Sequence, residues 1–347
     1  MDEQGSSYAQ AGVDIDAAQM ALSSVREAIS SSHGPEVVGG VGGFGSMFHA
    51  HFPGVERPVL VSSIDGVGTK TKIAQMVGDY SGIGKDIVNH CVNDILCQGA
   101  RPLYFLDYFG CSKLEQMAFE QVVRGAAEAC AAVGCALVGG ETAEMPGVYH
   151  DGEIDIVGAI TGVVDWEMRL PKGKMQPGDR LIGLASNGLH TNGYSLARRA
   201  LFDMAGLSVR DPLPGDESET VGEALLKPHI CYFNHVFPLI QHGELVKGVA
   251  HITGGGLYDN LPRILPKDVQ AKIVRRNWIP LPIFTAIQQC GRIEDAEMYR
   301  AFNMGIGMVL IVDQDSCDTV VNHLNDSGSF AAEIGKLHGG PRDVQIV

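Results

Sequence analysis

Positive charge is scarce in this sequence. Lys and Arg number 26 against 41 Asp and Glu, a formal net charge of -15 at pH 7, and that balance disfavours the counterion-release binding that nucleic acids and anionic membranes require. The expected partner is a small molecule, with no nucleic acid and no membrane. Paired cysteine spacings are missing as well. The eight cysteines include no CxxC pair and are expected to behave as small hydrophobes rather than as ligands or nucleophiles. The N-terminus shows no apolar segment behind a basic one, and the uncharged apolar runs fall far short of the ~20 residues that cross a bilayer. A reduced, cytoplasmic setting fits these absences. No GxxxxGK[ST] loop is present either: Thr69 precedes Lys70, and Gly84-Lys85 is followed by Asp86. Gly40-x-Gly42-x-x-Gly45 matches the dinucleotide fingerprint in letters only, because just Glu36-Val37-Val38 precedes it and Ser46-Met47-Phe48-His49 is a poor helix start.

What the chain has in excess is glycine, 44 of 347 residues, nearly twice the ~7 % of average usage and without a collagen-like period. Either the fold turns tightly in many places or its backbone comes close to a ligand. With 45 % hydrophobic residues the chain can bury a large core, and its length suggests about two domains at ~150 residues each. A helical pattern runs from Ile15 to Ser30, with Ala18, Leu22, Val25 and Ile29 on one face and Asp14 as its cap. The five glycines of Gly39 to Gly45 then exclude a regular element and predict a mobile loop.

Beyond it one arrangement repeats: an apolar strand, a loop of glycine and polar residues, then a helix. Val59–Ile64 leads into Asp65-Gly66-Val67-Gly68-Thr69-Lys70, Ala136–Val138 into Gly139-Gly140-Glu141-Thr142, Leu181–Ala185 into Ser186 to Asn192, and Val249–Ile252 into Thr253-Gly254-Gly255-Gly256. Between Val164 and Leu181 a polar stretch with two prolines ends in the turn-like Pro177-Gly178-Asp179, which places a domain boundary near residue 170 and divides the chain into 1–169 and 170–347. Each half mixes helices and strands, Met308–Val312 being the final strand, so the fold class is α/β of the α+β type in two layered domains.

Five stretches could carry chemistry. Asp65 to Lys70 sets a carboxylate, two approachable glycine amides, a hydroxyl and an ammonium within one strand end, a combination suited to phosphate and Mg²⁺; a surface turn with a solvated Lys is the alternative. On the helix from Lys85 to Leu96, Asp86, Asn89, His90, Asn93 and Asp94 form one stripe and Ile87, Val88, Cys91, Val92 and Ile95 another. The polar stripe lacks the Glu and Lys of a solvated face. Asp94 is its best metal ligand, unless the stripe simply packs against a loop. Glu141 supplies a third strand-end carboxylate, or a solvated one. Asn187, His190, Thr191 and Asn192 precede a helix at Gly193 to Arg198, with Asn192 as its cap, and Thr253 to Gly256 open another through Leu257 to Ile264. Helix starts with free amides take anions, although a capping loop without ligand has the same letters. Two of them suggest a phosphorylated substrate.

In order, GGVGGFG, IDGVGTK, VNDI, GGETAEMPG, SNGLHTNGYSL, HITGGGL and FNMGIGM resemble the motif series of the aminoimidazole ribonucleotide synthetase family, also called phosphoribosylformylglycinamidine cyclo-ligases, from about Tyr8 to His338. The resemblance implies a two-domain ATP-binding synthetase fold: an N-terminal mixed sheet with helices forming a barrel-like interface in a homodimer, and a C-terminal α/β sandwich, with substrate between the domains. It implies ATP and Mg²⁺ at the N-terminal half. Asp65, Asp94 and Glu141 would hold the metal, and Gly66, Gly68, Thr69 and Lys70 would meet phosphates under a closing loop with Gly42, Gly43, Phe44 and Gly45. Asn187, His190, Thr191, Asn192, Thr253, Gly254 and Gly255 would line the substrate site, with Lys70, Asp94 and His190 as the catalytic set. The implied reaction belongs to de novo purine biosynthesis. The formyl oxygen of formylglycinamidine ribonucleotide attacks the γ-phosphate of ATP, ADP leaves, and the amidine-side nitrogen closes the ring and expels phosphate to give aminoimidazole ribonucleotide. Positioning and charge neutralisation dominate such a transfer.

The chain departs from the family pattern in two places. Ser30-Ser31-Ser32-His33 stands where basic residues are frequent, and Pro228-His229-Ile230-Cys231-Tyr232 where Pro-Thr-Arg-Ile-Tyr is. Other readings are another phosphoryl-transfer synthetase of the superfamily, or a silent nucleotide-binding subunit. Selenophosphate synthetase would place a reactive Cys near the N-terminus, whereas the first cysteine here is Cys91. A hydrogenase maturation factor would end in cysteine, whereas this chain finishes Gln345-Ile346-Val347. The intact Asp65, Lys70, Asp94 and Glu141 set speaks against a silent subunit.

Overall fold

The computed structural model describes residues 15–171, 175–241 and 245–347; Tyr8 and the Asp14 cap lie outside them. The chain separates into two compact units. The first runs to His51 and adds Ser63–Cys91 and Pro102–Thr161; the second comprises Phe52–Ser62, Val92–Arg101 and Gly162–Val347.

The helices and strands up to residue 165 are α1 (Ile15–Ser31), β1 (Val37–Val38), β2 (Met47–Phe48), β3 (Pro58–Gly66), α2 (Lys70–Val77), α3 (Ile83–Leu96), β4 (Arg101–Cys111), α4 (Gln116–Ala132), β5 (Ala136–Glu144) and β6 (Ile154–Asp165). Four strands form a sheet in the order β3-β6-β4-β5, with β4 and β5 parallel. On α4, Ala118, Phe119, Val122, Val123, Ala126 and Cys130 are buried, the three- and four-residue spacing that turns one helix face to a core. Its crossing with α3 depends on two glycines. A Cβ on Gly84 would lie 1.9 Å from the Val122 carbonyl oxygen, and one on Gly125 would lie 2.8 Å from that of Ser81.

Then follow β7 (Arg180–Ala185), α5 (Tyr194–Arg198), β8 (Pro212–Leu213), β9 (Asp216–Thr220), α6 (Val221–Leu226), α7 (Phe233–Gln241), β10 (Gly248–His251), α8 (Gly256–Asn260), β11 (Val269–Ile273), α9 (Pro282–Gly291), α10 (Asp295–Ala301), β12 (Ile306–Val312), α11 (Cys317–Asp326), β13 (Ala331–Gly339) and β14 (Val344–Ile346). Six of these strands make one sheet in the order β10-β12-β7-β13-β11-β14, antiparallel except for the β11–β14 pair. All seven residues of β12 are buried, as a continuous apolar run in a sheet interior should be.

Three local expectations are corrected. Gly139-Gly140-Glu141-Thr142 is not a loop after a short strand; it lies within β5, paired residue by residue with β4 as far as Glu144. Met308–Val312 is not the final strand: β13 follows, its glycines and charged residues breaking the apolar pattern, and then β14, only three residues long. Asn192 does not cap α5; Gly193, in the left-handed region at φ 81°, takes that position without a side-chain bond. Among the described residues no helix is long and apolar enough to cross a membrane.

The α3–α4 crossing gives a direct test. Gly84→Ala drives a methyl into a backbone carbonyl, so it is expected to destabilise the protein by about 3 kcal/mol, the upper end of overpacking costs, despite alanine's better helix propensity. A thermal melt unchanged from wild type would contradict that packing.

Candidate functional site

In the first unit the turn from β3 into α2 is fixed from below. Gly68 sits in the left-handed region at φ 65°, the Val67 N–H donates to the Ile156 carbonyl at 3.0 Å, and Lys70 starts α2 with its side chain fully buried. Its ammonium lies 2.9 Å from each carboxylate oxygen of Asp86, also fully buried. Burial pushes the Lys70 pKa down, and the Asp86 charge opposes that shift. Lys70 is therefore no solvated surface cation. Its charge is spent on Asp86, and the pair pins the loop Gly66 to Thr69 to the helix beneath. Asp65 accepts the Gly66 N–H at 2.7 Å through one oxygen and meets His90 Nε2 at 2.8 Å through the other. His90 is buried, while the Asp65 side chain is 40 % exposed. Within this unit two residues of the α3 polar stripe, Asp86 and His90, are buried and paired.

Glu141 is exposed on β5, opposite Tyr108. Beside it Gly140 is obligatory, since a Cβ there would stand 2.2 Å from the Asp107 carbonyl oxygen and 2.3 Å from its carboxylate. Enclosure raises the Asp107 carboxyl to about 7. Sequence reasoning missed Asp107, which sits in an apolar strand with no motif around it. The glycine-rich stretch connects the two residues of β1 to the two of β2, which pair antiparallel. Arg26 donates to the Val41 carbonyl at 3.2 Å, Phe44 is fully exposed, and Cβ atoms added at Gly40 or Gly45 would meet nothing within 4 Å.

The second unit holds a cluster of histidines. Asp94 Oδ1 lies 2.8 Å from His251 Nδ1, at the end of β10. His251 Nε2 lies 3.0 Å from His229 Nε2, and His229 Nδ1 lies 3.3 Å from Thr191 Oγ1. His190 stacks on His229 with ring centroids 4.0 Å apart and planes at 22°; it is buried, with φ 61°. Asn93 is wholly buried and joins this group through His229, Ile230 and Tyr232. Asn192 and Gly254 are neighbours, the Asn192 Oδ1 standing 3.2 Å from where a Gly254 Cβ would be. Thr253 instead donates to Asn260 at 3.2 Å, Asn187 donates to the Pro228 carbonyl at 2.9 Å, and Gly255 caps α8 at φ 92°. Near Asp94 the half-buried Cys97 thiol is pushed far up, chiefly by desolvation and then by the Asp94 charge. His229 was legible only as the centre of a segment that departs from the expected pattern.

The two units together define a class. Family models described as AIR synthase related protein match the chain twice, the N-terminal domain over residues 53–164 and the C-terminal domain over 176–347. The fold agrees: a hydrogenase maturation protein HypE solved in complex with ATP superposes with a TM-score of 0.64 over 95 % of this chain and 90 % of that one, at 18 % identity. Within the class the likeness is narrower. A phosphoribosylformylglycinamidine cyclo-ligase of Trichlorobacter lovleyi is 46 % identical over 97 % of this chain and 96 % of that protein, and one of Geobacter metallireducens is 45 % identical over the full length of both. The chain belongs to the phosphoribosylformylglycinamidine cyclo-ligase family.

The Lys70–Asp86 pair yields a stability test. Lys70→Met leaves the Asp86 carboxylate buried without its counter-ion and is expected to cost about 3–5 kcal/mol, whereas combining it with Asp86→Leu restores most of that loss. Chemical denaturation of both variants checks this; a double variant no more stable than the single one would contradict it.

Proposed function

We propose that this chain catalyses the cyclo-ligase reaction, the ATP-dependent closure of formylglycinamidine ribonucleotide to aminoimidazole ribonucleotide with release of ADP and phosphate, a ligase step of purine biosynthesis. The observation that carries this reading is the activity named for relatives at 45–46 % identity over nearly the whole chain. The geometry supports it: two pinned, glycine-rich strand ends, each backed by buried polar pairs, suit a reaction that depends on positioning rather than on a covalent nucleophile.

Residues 1–169 take ATP and form the dimer; residues 170–347 take the phosphoribosyl substrate. The loop Gly66 to Thr69, held in place by Lys70 on Asp86, offers backbone amides and the Thr69 hydroxyl to the phosphates, and the hairpin loop with Gly42, Gly43, Phe44 and Gly45 closes over them. Asp65, Asp94 and Glu141 would hold Mg²⁺. They are hard oxygen donors of the kind this ion takes, and none of the three carboxylates is buried. When bound, the ion neutralises phosphate charge. Asn187, His190, Thr191 and Asn192, with Thr253 to Gly255, contact the substrate. Ile64 and Leu106, both exposed in the four-stranded sheet, supply apolar surface for a homodimer, and eight free cysteines suit the cytoplasm.

Purified protein is expected to release ADP and phosphate from ATP only when formylglycinamidine ribonucleotide and Mg²⁺ are both present; absence of substrate-dependent turnover in that assay overturns the reading. Asp94→Asn, which keeps a hydrogen-bond acceptor for His251 but loses the charge, is expected to abolish turnover and leave the dimer intact by sedimentation. Wild-type rates in that variant would remove Asp94 from the metal site.

A further inference from the structure

One segment, Tyr299 to Gly305, runs beneath both loops read as substrate contacts. A Cβ on Gly193 would stand 2.3 Å from the Phe302 ring, and one on Gly256 would stand 2.0 Å from the Tyr299 carbonyl oxygen. The segment ends in a tight turn, the Ile306 N–H donating to the Asn303 carbonyl at 3.0 Å with Met304 at φ 50° and Gly305 at φ 94°. A left-handed methionine costs about 1–2 kcal/mol, so the turn needs ties. Trp278 Nε1 supplies one, donating to the Met304 carbonyl at 2.9 Å. The buried Asn303 supplies others.

The Asn303 amide has one orientation. The Gly305 N–H only donates and lies 2.8 Å from Oδ1, while the Gly188 carbonyl only accepts and lies 2.9 Å from Nδ2. Ser186 Oγ lies 2.9 Å from the same Oδ1 and 3.1 Å from the Gly188 carbonyl; both are acceptors, so the hydroxyl donates within this group. The Ser186 N–H donates in turn to the Gly305 carbonyl at 2.9 Å. Ser186 and Gly188 are the root of the loop that carries His190, Thr191 and Asn192, and Asn187 lies between the two pinned residues. The second loop is braced in the same manner: buried Asn260 donates to the Gly254 and Gly256 carbonyls at 3.1 and 2.8 Å and accepts the Thr253 hydroxyl at 3.2 Å.

We infer that Asn303 is a positioning residue for substrate binding: it ties the root of the loop Ser186 to Asn192 to the turn ahead of β12 and so fixes where that loop presents its polar groups. All three of these amide bonds end on the loop and the turn. This rests on the reading of Asn187, His190, Thr191 and Asn192 as substrate contacts.

Asn303→Asp keeps the shape and the Oδ1 acceptor but sets an oxygen against the Gly188 carbonyl. It is expected to raise the KM for formylglycinamidine ribonucleotide about tenfold, the cost of leaving one buried carbonyl unpaired, while the KM for ATP, read to residues 1–169, stays within about twofold of wild type. Ser186→Ala removes only the hydroxyl and stands in should N303D not fold; it is expected to raise the same KM about threefold. Melting temperatures measured alongside separate positioning from stability. Variants that melt lower but keep the wild-type KM for formylglycinamidine ribonucleotide overturn the role of Asn303, as does an equal rise in the KM for ATP. Wild-type protein whose turnover does not depend on formylglycinamidine ribonucleotide overturns instead the reading on which that role stands.

Discussion

The site residues depend on a requirement imposed by one helix: polar side chains buried or half-buried on α3 must find partners. An unpaired amide or charge in such surroundings costs several kcal/mol, so each such residue dictates the placement of another. Asp86 requires Lys70 and thereby sets the turn out of β3. His90 takes Asp65. Asn93 binds the backbone at Ile230 and Tyr232, and Asp94 meets His251. The glycine-rich loops supply conformational freedom; these pairs remove it where the chemistry needs a fixed geometry.

This division of labour resolves an apparent conflict. A chain with net charge -15 belongs to a family whose substrates are polyanions, yet the lysine in its best phosphate motif is neutralised by a buried aspartate. On the proposed reading, local positive potential then comes from backbone amides at strand ends, hydroxyls, oriented side-chain amides and Mg²⁺ rather than from that lysine. Such donors are fixed in the unliganded fold and need little reorganisation when charge develops, which is the condition for electrostatic stabilisation of a transferring phosphoryl group.

Much of this was legible in the letters. The polar stripe of α3 stood out because Asp and Asn replaced the Glu and Lys of a solvated face, and the strand-then-glycine repeats marked the turns at Asp65 and His251. Partners distant in sequence were not legible. Nothing near Lys70 announces that its counter-ion is Asp86 rather than a ligand, and His229 has no local pattern, since its meaning comes from Asn93, His251 and Thr191, which only the fold brings to it. Glu141 was misplaced in a loop because two glycines usually end a strand; here Gly140 continues it, as the only residue that lets β5 run past Asp107.

Two kinds of glycine in this chain have different fates under mutation. Gly84 and Gly140 are locked by neighbouring backbone, so their loss is felt as soon as the chain folds. Gly40 and Gly45, in the hairpin loop, have neither a positive φ nor a neighbour that an added methyl would strike. An alanine at either position is expected to leave the melting temperature near wild type. With the loop closing over nucleotide as proposed, such variants would be intact, well-folded proteins whose defects surface only when the cell demands the product, and stability-based classification of sequence variants would misjudge them.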